Sequence, residues 1–299
     1  MTIRVTNTLA AAPLAVLLLG LLSPTAAAQT AHEIVNCFDE SLGTVHQTLV
    51  GDCKGRSISD DEAAAVRRER RDYIQKVLSK APSPGLEGRR LAGLGSGFFV
   101  ASDGSVVTSH HVVDDCAAIS VTPTFGEMKL ATLVSSEKEV DLALLRADID
   151  PPGIASVVTG DGPAVLSSAF VIGYPSQGLV TIEPILTAVD VVGRERNTSR
   201  GPAIIVRGDI RRGNSGGPLL DAGGKVIGVV AAKVDSVNVY KTTGQVVREI
   251  GLASPGEVLE AFLKEQGVDY EVAQPGFPQP QERILEETRP FLVQIGCWQ

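Results

Sequence analysis

Between residues 91 and 254 the chain is a succession of short β-branched runs separated by glycine turns, and this limits its fold more than any other feature. Residues 97–101, 105–108, 118–122 and 140–145 are examples, followed by 169–173, 203–206 and 225–234. Many short strands at this spacing indicate an all-β sandwich or barrel. The stretch is long enough for two small antiparallel β-barrels with a cleft between them, so the expected class is mainly β. A helix over 255–265 closes the region. The remainder is proline-rich and then offers residues 291–295 as a final strand.

The segment before the strands has a different texture. Residues 1–28 read as a secretory signal peptide: Arg4 supplies the positive start, residues 14–22 the apolar core, and Ala26-Ala27-Ala28 the cleavage site. The apolar run falls short of the ~20 residues that span a bilayer. The expectation is therefore export to periplasm or medium, with no membrane attachment after cleavage. Residues 29–57 read as irregular and carry Cys37 and Cys53. Ser59 and Glu62 form a capping box that starts a helix, with Ala63, Val66, Tyr73, Ile74, Val77 and Leu78 as its apolar stripe. Arg67, Arg68, Arg70 and Arg71 are interrupted by Glu69 and Asp72, the pattern of a solvated helix face. Residues 81–85 (A-P-S-P-G) read as a linker. The expected division is 1–28 leader, 29–90 N-terminal extension, 91–266 main domain and 267–299 C-terminal tail.

The formal net charge is −8 at pH 7, and loss of Arg4 with the leader makes it one unit more negative. An acidic surface argues against nucleic acid or anionic lipid as the main partner. Four cysteines in an exported chain predict disulfides. Cys37 with Cys53 is the local pairing, closing a loop that the chain-entropy model credits with roughly 3 kcal/mol. It leaves Cys116 and Cys297 to tie the tail to the middle of the chain. No C-x-x-C pair is present and there are only four histidines, so no metal site and no cofactor are expected.

Chemistry concentrates in three places. Gly213-Asn214-Ser215-Gly216-Gly217-Pro218 surrounds a serine with small residues, as an exposed nucleophile requires. There the N–H groups of Gly213 and Ser215 can converge on one point, where an oxyanion would form. A serine nucleophile needs a base, and the base an orienting carboxylate. Thr108-Ser109-His110-His111 ends an apolar strand and offers the base. Asp141 is a lone carboxylate in an otherwise buried run, costly unless it is hydrogen-bonded. The order His, Asp, Ser is one of those in which the serine triad recurs.

The stretches GSGFFVASDGSVVTSHHVV, EVDLALLRA and RRGNSGGPLL resemble the trypsin-like serine peptidases, most closely their bacterial HtrA/Deg-type branch. The resemblance spans roughly residues 94–266. It implies two six-stranded barrels and a serine endopeptidase acting on protein or peptide substrates. His111 takes the base position, counted from Thr108 in the T-x-x-H-V motif, with Asp141 as the acid and Ser215 as the nucleophile. Asp209, six residues before Ser215, falls where trypsins carry the base of the S1 pocket. A carboxylate there favours Lys or Arg at P1, whereas HtrA/Deg relatives have a small residue and prefer small aliphatic side chains. The sequence leaves both open. Asn214 replaces the aspartate that pairs with a new N-terminus in digestive trypsins, so activation by cleavage at Arg89-Arg90 is not expected. No PDZ domain is expected after residue 266. The alternative is an envelope quality-control or binding protein whose holding activity matters more than turnover. Oligomeric state is not readable.

Overall fold

The computed structural model describes residues 33–40, 43–78, 85–160, 162–175, 183–198 and 201–299. The expected leader and most of the expected linker at 81–85 lie outside these residues. The N-terminal extension forms a small sheet, not an irregular segment. Its strands are β1 (Ile34–Asp39), β2 (Thr44–Leu49) and β3 (Arg56–Ile58), in the order β2-β1-β3. Such a small sheet is marginal alone. It is held by the Cys37–Cys53 disulfide and by helix α1 (Asp60–Leu78), whose Ala63 is fully buried. Those supports are tertiary, which is why the local pattern looks irregular. The Ser59 hydroxyl caps α1 by accepting from the Glu62 N–H at 3.2 Å. The Glu62 carboxylate does not close the expected box and pairs with Arg56 at 2.9 Å.

The first barrel comprises β4 (Leu91–Phe99), β5 (Ser105–Thr108), β6 (Ala118–Pro123), β7 (Lys129–Glu137) and β8 (Leu142–Ala147). A single helical turn, α2 (His110–Val113), follows β5. The ring closes only through the last strand of the chain, which the sequence assigns to the tail. Numbered β17 in chain order, it runs from Leu292 to Trp298 and pairs antiparallel with both β4 and β6. Leu292, Val293 and Ile295 are fully buried, each worth roughly 1.5–3 kcal/mol relative to exposure. The Trp298 indole donates to Ser120 at 2.9 Å, and the Cys116–Cys297 disulfide pins the same end.

After β9 (Ser156–Val158), the second barrel is built from β10 (Ser168–Gly173), β11 (Ile185–Thr198), β12 (Gly201–Arg207), β13 (Pro218–Leu220), β14 (Val226–Lys233) and β15 (Ile250–Pro255). These pair in the order β13-β10-β11-β12-β15-β14, and β13 with β14 completes the ring. Helix α3 (Ser236–Thr243) lies between β14 and β15, and α4 (Gly256–Glu265) follows as expected. Strand β16 (Glu271–Ala273) runs parallel to β9 beside the ring, and α5 (Gln281–Thr288) leads into β17. One apolar cluster runs from Phe98 and Leu144 of the first barrel through Phe170, Ile172 and Val229 to Leu259 and Phe262 of α4. It joins the barrels. A second cluster, including Val171, Ile204 and Leu219, fills the second barrel.

Closure by β17 makes the last ten residues structural. Deleting residues 290–299 is expected to leave β4 and β6 as open edges and yield insoluble protein. The Cys116→Ser/Cys297→Ser double variant should fold but lose about 2–5 kcal/mol. Thermal melts of the purified variants, against wild type with and without reductant, check both outcomes.

Candidate active site

Asp141 stands at the turn before β8 with φ +55°, a left-handed conformation that Asp adopts more readily than most residues. This backbone turn aims its carboxylate at α2. One oxygen accepts from the His111 N–H at 3.0 Å, and the two oxygens lie 2.9 and 2.8 Å from His111 Nδ1. A carboxylate only accepts, so Nδ1 carries the proton and Nε2 is left as the acceptor of a neutral imidazole. The Asp141 side chain is 4% exposed and that of His111 39%, so the acid is sealed while the base reaches solvent. Val140, next to Asp141, has its carbonyl held by the Ser254 hydroxyl at 2.8 Å, a tie from β15 of the second barrel.

His110 is turned elsewhere. Its Nδ1 lies 2.5 Å from the Ser136 hydroxyl on β7, and its Nε2 is 3.8 Å from Asp114. Of the two adjacent histidines, His111 is the one on the Asp141 carboxylate. Asp114 and Asp115 are exposed.

The Gly213–Pro218 loop leads into β13 and packs directly on the strand-to-helix turn that carries His111. Gly216 has φ +81°, and a Cβ there would stand 2.2 Å from Thr108 Oγ1 and 2.3 Å from the Ser96 carbonyl. Its N–H donates to Val230 O at 2.7 Å. Only glycine permits this approach. Ser215 is half-buried, and its carbonyl accepts from the Ser96 N–H at 2.8 Å. Among the described residues, no hydrogen bond joins its hydroxyl to either histidine, and the N–H groups of Gly213 and Ser215 donate to nothing. Free enzymes commonly tighten such contacts only when substrate is bound.

Ser96 is a residue that the sequence reading passed over. It is fully buried, its hydroxyl donates to Gly213 O at 2.6 Å, and the same oxygen accepts from the Tyr174 N–H at 2.8 Å. A serine inside a buried strand run was the available clue, obscured because Gly-Ser-Gly is also ordinary turn composition.

Asn214 is 1% exposed, and its side-chain oxygen accepts from the Arg211 N–H at 2.9 Å while the Asn214 N–H donates to Arg211 O at 3.1 Å. The loop thus folds back on itself. Asp209 forms an ion pair with Arg211, whose Nε lies 2.9 Å from its carboxylate. Burial pushes the Asp209 carboxyl up, but the hydrogen bond and charge of Arg211 outweigh it and hold the group below its ordinary value. Asp39 and His46 of the N-terminal sheet lie close enough to act on Arg211 electrostatically.

Residues 95–229 match the family described as the trypsin-like peptidase domain. An uncharacterized protein of Sinorhizobium fredii, y4bJ, is 32% identical over 204 residues, covering 68% of this chain and 32% of that protein. A probable periplasmic serine endoprotease, DegP-like, of Chlamydia trachomatis is 32% identical over 192 residues, 60% of this chain and 38% of the relative. Among solved structures, the HtrA-type protease AlgW with decapeptide superposes with a TM-score of 0.50 at 26% identity, over 57% of this chain and 51% of that one. The chain spans about a third of the length of the curated relatives it matches. Over residues 95–229 the chain is thus similar to the trypsin-like peptidase domain, and the relatives it matches include HtrA/DegP-type proteases.

Proposed function

We propose that this chain is an exported serine endopeptidase that hydrolyses peptide bonds in protein or peptide substrates through Ser215, His111 and Asp141. The observation that carries the reading is the sealed Asp141 carboxylate bound to both the backbone and the ring of His111. Ser215 attacks the scissile carbonyl while His111 Nε2 takes its proton, and the C–N bond then breaks as His111 returns that proton to the amine. Water, losing a proton to His111, then attacks the acyl-enzyme ester; the C–O bond to Ser215 breaks as His111 returns the proton to Ser215 Oγ, releasing the carboxylic product. Asp141 keeps His111 in the required tautomer and stabilises the imidazolium. The N–H groups of Gly213 and Ser215 receive the oxyanion, a kind of donor worth about 10²–10³ in rate each. Export is supported by the DegP-like relatives described as periplasmic and by the two disulfides, which persist in oxidising compartments. No helix among the described residues is long and apolar enough to cross a membrane.

Two chain-specific features refine the proposal. Asn214 binds Arg211 within its own loop, so the loop needs no new N-terminus to order it. Arg211 occupies the Asp209 carboxylate, so Asp209 is not free to receive a basic side chain, and we favour small aliphatic P1 residues over Lys or Arg.

Fluorophosphonate labelling tests the chemistry on a chain that still carries residues 29–90. Wild type should label without cleavage after Arg90, and Ser215→Ala should not label. His111→Ala should lose about 10³-fold or more in labelling rate, with His110→Ala close to wild type. Full labelling of Ser215→Ala, or loss in His110→Ala with retention in His111→Ala, would reverse the assignments.

Arg211→Ala tests the pocket. Peptide-library cleavage should shift toward Lys and Arg at P1 once Asp209 is released. A pH signature accompanies it. A carboxyl lowered in the folded state contributes stability that is present above the unfolded value of ~3.9 and is lost as pH falls through the lower folded value. The melting-temperature gap between wild type and Arg211→Ala should therefore be open at neutral pH and narrow below about pH 4.

A further inference from the structure

We propose that Ser96 is a positioning residue for the oxyanion-binding N–H of Ser215, acting through the peptide planes on either side of the Asn214–Ser215 peptide. The proposal rests on Ser215 being the nucleophile, as argued above.

Ser96 lies in β4 of the first barrel yet makes its polar contacts with the loop of the second. Its hydroxyl donates to Gly213 O at 2.6 Å across 117 positions of sequence. Its N–H donates to Ser215 O at 2.8 Å. The first bond sets the Gly213–Asn214 peptide plane and the second sets the Ser215–Gly216 plane. Between them lies the Asn214–Ser215 peptide, whose carbonyl accepts from the Gly217 N–H at 2.9 Å. With all three carbonyls bound, the plane of the Asn214–Ser215 peptide is fixed, and with it the direction of the Ser215 N–H. A flip of the Gly213–Asn214 peptide would have to break the Ser96 hydroxyl bond.

Ser96 is itself held on two sides, so it can act as a fixed reference. The Thr108 hydroxyl donates to its carbonyl at 2.7 Å, and the Tyr174 N–H donates to its hydroxyl oxygen at 2.8 Å. Tyr174 follows β10 of the second barrel, and Thr108 ends the strand that leads to His111. Through its hydroxyl, N–H and carbonyl, this one buried residue therefore links the strand leading to His111, the loop carrying Ser215 and the end of β10. If Ser96 only satisfied buried polar atoms, its loss would lower stability and leave turnover per folded molecule unchanged. If it orients that oxyanion donor, its loss falls on the transition state, because donors act by being aimed before charge develops.

The test uses the full exported chain and compares wild type, Ser96→Ala and Ser215→Ala on a cleavable peptide, a fluorophosphonate and a peptide boronate, which forms a tetrahedral adduct with serine. Ser96→Ala is expected to keep KM within about 2-fold, to lose kcat about 10- to 100-fold, and to lose boronate affinity in parallel while a product peptide binds as before. If its kcat per folded molecule equals wild type, or if boronate and product peptide weaken alike, the proposal falls. Should Ser96→Ala not fold, Thr108→Val, which removes the anchor on the Ser96 carbonyl, carries the test. A several-fold fall in kcat at constant KM supports the role, and wild-type kcat overturns it. Failure of the nucleophile assignment reads differently, since Ser215→Ala would then still label.

Discussion

The arrangement depends on the main chains of the two barrels touching at Gly216. There a loop of the second barrel lies against the Thr108 hydroxyl and the Ser96 carbonyl of the first, at a distance that no side chain could occupy. The contact leaves Ser215 between Ser96, which holds its carbonyl, and the α2 turn that carries His111. A hydrogen bond crosses the seam from Ser109 Oγ to Val230 O at 3.1 Å, and the same oxygen accepts from the Gly216 N–H within the second barrel at 2.7 Å. Buried groups with fixed partners resist displacement, because breaking one leaves an unsatisfied polar atom in a medium of low dielectric. The seam is therefore rigid where the proposed chemistry needs rigidity.

The same logic explains the acid. A carboxylate that is 4% exposed persists because His111 offers it both a backbone and a ring donor, and because the turn at φ +55° aims it there. The second barrel braces that turn through the Ser254 hydroxyl on Val140 O. His111, Asp141 and Ser215 are thus held jointly by both barrels.

The N-terminal sheet adds a third body to this frame. Its Cys37–Cys53 staple lies on the side facing loop 234–249, where Asp52 pairs with Arg248 and Lys54 with Glu249. Lys54 is 80% exposed, so the Lys54–Glu249 pair orients more than it stabilises. It brings Asp39 and His46 toward Arg211, and so toward the Asp209 wall.

Much of this was legible in the residues. The β-branched runs and glycine turns indicate barrels, because strand period and loop composition are local properties, and the resemblance of three motifs to the peptidases points to His111, Asp141 and Ser215. The even cysteine count and local spacing point to both disulfides. Other features were not legible, for one physical reason. The sheet of β1, β2 and β3 is too small to show a pattern apart from the disulfide and helix that support it. Residues 291–295 read as a final strand but as part of a separate tail, although the strand at 292–298 is the sixth of a barrel that begins about 200 residues earlier. Ser96 looks like turn punctuation until chain closure brings it to Gly213, and which of the neighbouring arginines neutralises Asp209 is decided only when Arg211 folds onto it. The sequence by itself determined which chemical groups are present and which stretches extend. Tertiary structure alone decided which buried donor meets which acceptor, because those partners are distant in the chain and are brought together only when both barrels close.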